Sequence, residues 1–85
     1  MTHAFYSDAA EKTRVELTRG ERAAVEAVRV SLETDPRQGD PMPGSDLQVV
    51  DLEVEETGGG RGVSVVYRYD EALDAALIVW VVAGP

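Results

Sequence analysis

Three carboxylates recur at every second residue of one run: Asp51, Glu53 and Glu55, with Glu56 next in line. On an extended chain that spacing puts all three on one face. Such a face can hold a hard cation, meet a basic peptide, or stand in water as the polar side of a half-exposed strand. Oxygen-ligand cation sites are usually built with a glycine-bearing loop among the ligands. No glycine interrupts this run, so the solvated face comes first, the basic peptide second and the metal last. Beyond Arg37, the C-terminal half holds only two cations, Arg61 and Arg68. Arg68 shares strand parity with Ser64 and Val66, so it serves either a functional contact on that face or a cross-strand ion pair. Trp80, the sole tryptophan, is either core or an interface anchor. His3, the sole histidine, sits near a terminus with no second ligand or base beside it, which makes it a surface group. Gly58-Gly59-Gly60 is followed by Arg61-Gly62 and not by Lys-Ser/Thr, so it is a turn and not a phosphate loop. No nucleophile–base pair or paired acid arrangement stands out. The expectation is therefore no catalytic residues, no metal and no cofactor.

These groups must be positioned by the elements around them. Two runs rich in Val, Ile, Tyr and Trp, Val63–Tyr69 and Ala75–Ala83, flank the polar stretch 70–74. They form a strand hairpin. The second run scarcely alternates, which predicts a strand that is central or covered by a partner. Leu47–Glu55 alternates well and predicts a third strand, with Val50, Leu52 and Val54 inward and Asp51, Glu53 and Glu55 outward. Three prolines and two glycines between Asp35 and Gly44 break helix and strand alike. Upstream, Ser7 predicts the N-cap of a helix over about Asp8–Leu17. Thr18 and Glu21 have capping-box spacing for a second helix reaching Glu33 or Thr34, although Gly20 in its first turn is a poor helix former. Ala24, Val25, Val28 and Leu32 make that helix's apolar stripe, with Arg22–Glu26 and Arg29–Glu33 as i,i+4 pairs on the wet side. His3-Ala4-Phe5-Tyr6 predicts a short first strand. The fold class is thus α+β in two layers. A helical hairpin packs on a small antiparallel sheet, in the order (β)-α-α-β-β-β, and residues 1–85 form a single domain.

The net charge is −8. A protein that grips phosphates normally carries a basic face, so nucleic acid is not expected as a partner and a basic protein segment is easier to accommodate. There is no cysteine, hence no disulfide or thiolate chemistry. The first residues, MTHAFYSDAAEK, show no basic segment followed by an apolar run, so no signal peptide is expected. No apolar run approaches the ~20 residues of a membrane helix. A cytoplasmic location with no membrane partner is the expectation.

Three stretches carry a resemblance to a known family. They are Leu32-Glu33-Thr34-Asp35-Pro36-Arg37 leading to Pro41-Met42-Pro43-Gly44, then Ser64-Val65-Val66-Tyr67-Arg68-Tyr69-Asp70, then Ile78-Val79-Trp80-Val81-Val82-Ala83-Gly84. In order and spacing the chain resembles the RelE/ParE superfamily of type II toxin–antitoxin systems. There these stretches read as an Asp-Pro-Arg helix end with a Leu-Lys-Gly loop, an Arg-Val-Ile-Tyr-Arg-Val-Asp strand, and a last strand ending Val-Gly-His-Arg or Val-Gly-Lys-Arg. The resemblance implies the fold just described and an antitoxin-like partner that wraps the sheet and helices. In the mRNA-cleaving members it also implies basic residues that orient the 2'-hydroxyl and stabilise charge at the scissile phosphate. Here the matching positions are Pro43, Ser64 and Pro85. The resemblance therefore supports the fold and speaks against the nuclease.

The sequence thus points to a RelE/ParE-like protein without ribonuclease activity, acting as a protein-binding module. Its candidate contact residues are Arg61, Arg68, Trp80, Asp51, Glu53 and Glu55. Homodimerisation through the apolar last strand is a further expectation. Two other functions stay open: an active toxin, either a divergent mRNA interferase or a gyrase inhibitor, and a small scaffold protein unrelated to toxins, which parallel strands or helices on both sheet faces would favour.

Overall fold

The computed structural model describes residues 1–84; Pro85 lies outside them. β1 (His3–Tyr6) leads through Ser7 into α1 (Asp8–Arg14). The Ser7 hydroxyl caps the helix by accepting from the Ala10 N–H, and it donates to the carbonyl of Val79. α1 is shorter than predicted. Its C-terminal turn tightens through Glu16 and Leu17, whose N–H groups reach back only three residues. Leu17 still enters the core, at 4% exposure.

α2 (Arg19–Leu32) begins with the predicted capping box. Thr18 Oγ1 accepts from the Glu21 N–H and Glu21 Oε1 accepts from the Thr18 N–H. Gly20 stays inside the first turn for a steric reason. A Cβ there would lie 2.2 Å from the carbonyl oxygen of Thr57, so only glycine lets the helix pass this close to the neighbouring chain. Of the two predicted i,i+4 pairs, Arg29–Glu33 forms, at 3.5 Å. Arg22 instead donates to the Leu17 carbonyl, and Glu26 takes Arg29 at 2.6 Å and the Tyr6 hydroxyl.

The 35–44 loop carries β2 (Asp40–Pro41), a two-residue strand beside β3 (Leu47–Leu52). Gly39 is pinned there, since its N–H donates to the buried hydroxyl of Tyr67, which in turn donates to Gln48. β3 ends sooner than the alternation predicts, and a single-turn helix, α3 (Val54–Thr57), follows it. Gly58 closes α3 in the left-handed region, at φ 77°. β4 (Val63–Asp70) and β5 (Ala75–Ala83) are the predicted hairpin. The turn between them holds Asp74 at φ 48°, with its carboxylate accepting from the hydroxyls of Thr2 and Tyr69.

The five strands lie in the order β1-β5-β4-β3-β2. β2 to β5 pair antiparallel and β1 adds to β5 in parallel. β5 is therefore an inner strand, between β1 and β4, although its unbroken apolar run is covered on one face only. The helices cover one face only. There Ala10, Leu17, Val25, Val28 and Leu32 meet Val63, Val65, Tyr67, Ala76, Ile78 and Val81 in one core.

Candidate functional site: the open face of the sheet

The uncovered face is built by strand register. On β4, Val63, Val65 and Tyr67 point to the helices, which leaves Ser64, Val66 and Arg68 on the other side. Their β3 partners are Asp51, Val49 and Leu47, and their β5 partners are Val82, Trp80 and Leu77. Phe5 of β1 lies beside Leu77. The result is an apolar strip across four strands. Trp80 is 50% exposed, Val82 54% and Phe5 43%, while Val66, opposite both Trp80 and Val49, is nearly closed off.

Trp80 reaches this face because of a β-bulge. The register steps from Val66↔Trp80 to Tyr67↔Ile78 and leaves Val79 as the extra residue. Ala76 and Ile78 face the helices before the bulge, and Val81 does so after it. Strict alternation from Ile78 would have sent Trp80 into the core.

The acidic strand face predicted for Asp51, Glu53 and Glu55 does not exist, and this corrects the sequence expectation. β3 stops at Leu52; Glu53 takes the N-cap position of α3 and Glu55 lies within that helix. The alternating pattern ran on past the strand because Val54, the third apolar residue, is the first residue of α3 and is 44% exposed. Asp51 alone is on the sheet, where its carboxylate accepts from the Ser64 hydroxyl at 2.6 Å. Among the described residues no group of His, Asp or Glu is clustered to hold a metal ion.

Arg68 is on the open face and half-exposed, with Nε 4.0 Å from the Asp46 carboxylate. Arg61 is elsewhere. Its Nε and Nη2 donate to Glu21 at 2.8 and 3.2 Å, and the Glu21 side chain is only 1% exposed. Arg61, backed by the Thr18 N–H, holds the Glu21 carboxyl at about 2, below its ordinary 4.5. This pair ties the glycine turn to the start of α2, where a cleft of about 710 Å³ also takes in Arg19 and Gly84. Sequence reasoning saw Glu21 only as a capping residue. The pair, with Glu21 buried and Arg61 partly exposed, joins residues 40 apart, a separation that no local pattern encodes.

Of the positions where the family resemblance implied basic groups, Ser64 lies on the open face bonded to a carboxylate, Pro43 follows β2, and Pro85 is outside the described residues. A hydroxyl held by an aspartate is poorly suited to stabilise a developing phosphate charge.

No protein-family model matches the sequence, and no curated protein does. Solved structures do match. The chain resembles a chain of the intact E. coli RelBE toxin–antitoxin complex at a TM-score of 0.83 and 16% identity, covering 100% of this chain and 99% of that one. It resembles the isolated E. coli RelE toxin at 0.78 and 14% identity, covering 100% and 86%. A double arginine-to-alanine mutant of E. coli RelE in the free state matches at 0.76 and 18%, covering 95% and 82%. The parallel β1 that would have suited an unrelated scaffold lies within these whole-chain superpositions. No described helix is long and apolar enough to cross a membrane. The fold of this chain is that of the RelE toxin.

Proposed function

We propose that this RelE-like chain is a toxin–antitoxin-related, single-domain cytoplasmic protein that binds another polypeptide through the open face of its sheet and does not cleave RNA. The observation that carries this is Trp80. A large aromatic side chain stands half in water at the centre of an apolar strip made by Phe5, Leu77, Val82 and Val66. Exposed apolar patches of this kind mark interaction surfaces, and tryptophan is the side chain most enriched at binding hot spots. The RelE-like structure solved within a toxin–antitoxin complex supports a protein partner. The charge supports the absence of nuclease chemistry: the open face carries one arginine, Arg68, beside Asp46, where phosphate recognition needs several cations.

The test is co-purification from the host with the wild-type chain and Trp80→Ser as baits. A stoichiometric partner on the wild type that is lost from the variant supports the proposal. Recovery of bare monomer from both contradicts it.

A further inference from the structure

The acidic charge is not spread evenly. Residues 1–34 hold six acidic and five basic side chains, whereas residues 35–85 hold ten and three. The helical half is thus near neutral and the sheet half carries almost the whole deficit. Two of its three arginines are already engaged, Arg61 by Glu21 and Arg37 by Glu71 at 2.7 Å. Some of its carboxylates stand at the two ends of the open strip. Asp46 and Asp70 stand at the end where β3 starts and the β4–β5 turn lies, because Leu47 pairs with Arg68 and Asp70 with Ala75, and Asp46 faces Arg68 there at 4.0 Å. Asp51 and Glu53 stand at the other end, where β3 runs into α3, while Glu56 lines a groove with Ala24, Ala27 and Val28 of α2 on the covered side. Among the described residues, Asp51, Glu53 and Asp70 have no cationic side chain within 4.0 Å. Between the two ends the strip is apolar.

Both sheet edges are blunted. On β1 the outward Ala4 carbonyl accepts from Arg29, and the Thr2 N–H donates to the Glu33 carbonyl. At the far side β2 has two residues, one of them Pro41, which has no N–H to offer. A partner is therefore steered onto the face and away from strand addition.

We infer that the segment that covers the open face is apolar in its middle and carries Lys or Arg at both ends. This rests on the proposal that the face binds protein, and it adds the partner's chemistry. Complementary charge at the two ends sets register and speeds encounter, while the apolar centre supplies most of the affinity. β4 spans about 26 Å at ~3.3 Å per residue, a length that a helix of about 17 residues covers at ~1.5 Å per residue. A second copy of this chain would bring like-charged ends together and is disfavoured.

The inference is tested by selecting a displayed library of random 18-residue peptides on the immobilised full chain, keeping those that fail to bind Trp80→Ser and Val82→Ser. The survivors are expected to be net positive, with Lys or Arg in both terminal thirds. As a synthetic peptide, the strongest should lose about tenfold in affinity when its end charges are changed to Glu, and severalfold against Asp51→Asn/Asp70→Asn, with both losses shrinking in high salt. Trp80 fluorescence reads the binding. Face-dependent survivors that are neutral or acidic overturn the inference and leave the protein-binding face standing. Finding no face-dependent survivor overturns both. Dimerisation of the chain alone with a blue shift of Trp80 gives the face to a second copy and also overturns the inference.

Discussion

The two faces of the sheet are built from the same strands and have opposite fates. On the helix side Val63, Val65, Tyr67, Ala76, Ile78 and Val81 are each at most 4% exposed, and among the described residues no buried polar side-chain atom lacks a partner. On the other side Trp80, Val82 and Phe5 stand about half in water. The covered face is finished by the chain's own helices, so residues there act on stability. The open face is apolar without a cover, so on the proposed function residues there act on binding and little on stability. Changes on the two sides should separate cleanly.

The largest effect expected is at Gly20. Gly20→Val drives a side chain into the Thr57 carbonyl, and separating α2 from α3 should cost ~2–3 kcal/mol in chemical denaturation. Gly59→Ala in the neighbouring turn meets nothing within 4 Å and should shift stability by no more than ~0.5 kcal/mol. Equal effects at the two glycines would refute the close approach.

Glu21 gives a pH signature. Its folded carboxyl titrates near 2, below the ordinary 4.5, so the folded state favours the charged form. The stability it contributes is fully present above about 4.5 and is lost as the pH falls towards 2. Thermal melts across that window should show a steeper decline for the wild type than for Glu21→Gln. Parallel declines would place the Arg61 contact outside the folding equilibrium.

Tyr67→Phe removes the hydroxyl that joins Gly39 to Gln48 and should cost ~0.5–1.5 kcal/mol. Trp80→Ser should change stability least among the large side chains, within ~1 kcal/mol, while removing most of the partner binding. A Trp80→Ser variant that unfolds but still binds would invert the contrast between the faces.

Most of the layout was legible in the sequence because it is written in local chemistry. Ser7, Thr18 and Glu21 mark helix starts, and β-branched runs mark β4 and β5. The illegible parts depend on distant neighbours. The β3-to-α3 break follows an alternating run that carries no stop signal at Leu52. Gly20 looked like a flaw in a helix until Thr57 was placed beside it. For the site, Arg68 was put on its face by parity alone, while Trp80 was not, because the bulge at Val79 reverses parity within a run that is apolar at every position. Arg61 was set among the contact residues because Glu21, its partner, is 40 residues away.

The central claim is that a RelE-like fold serves here to bind protein and not to cut RNA. Its most direct test is induced expression of the chain in a sensitive host, following growth and mapping mRNA ends at translating ribosomes. The account predicts continued growth and intact message. Growth arrest with message cut at the ribosome would contradict it.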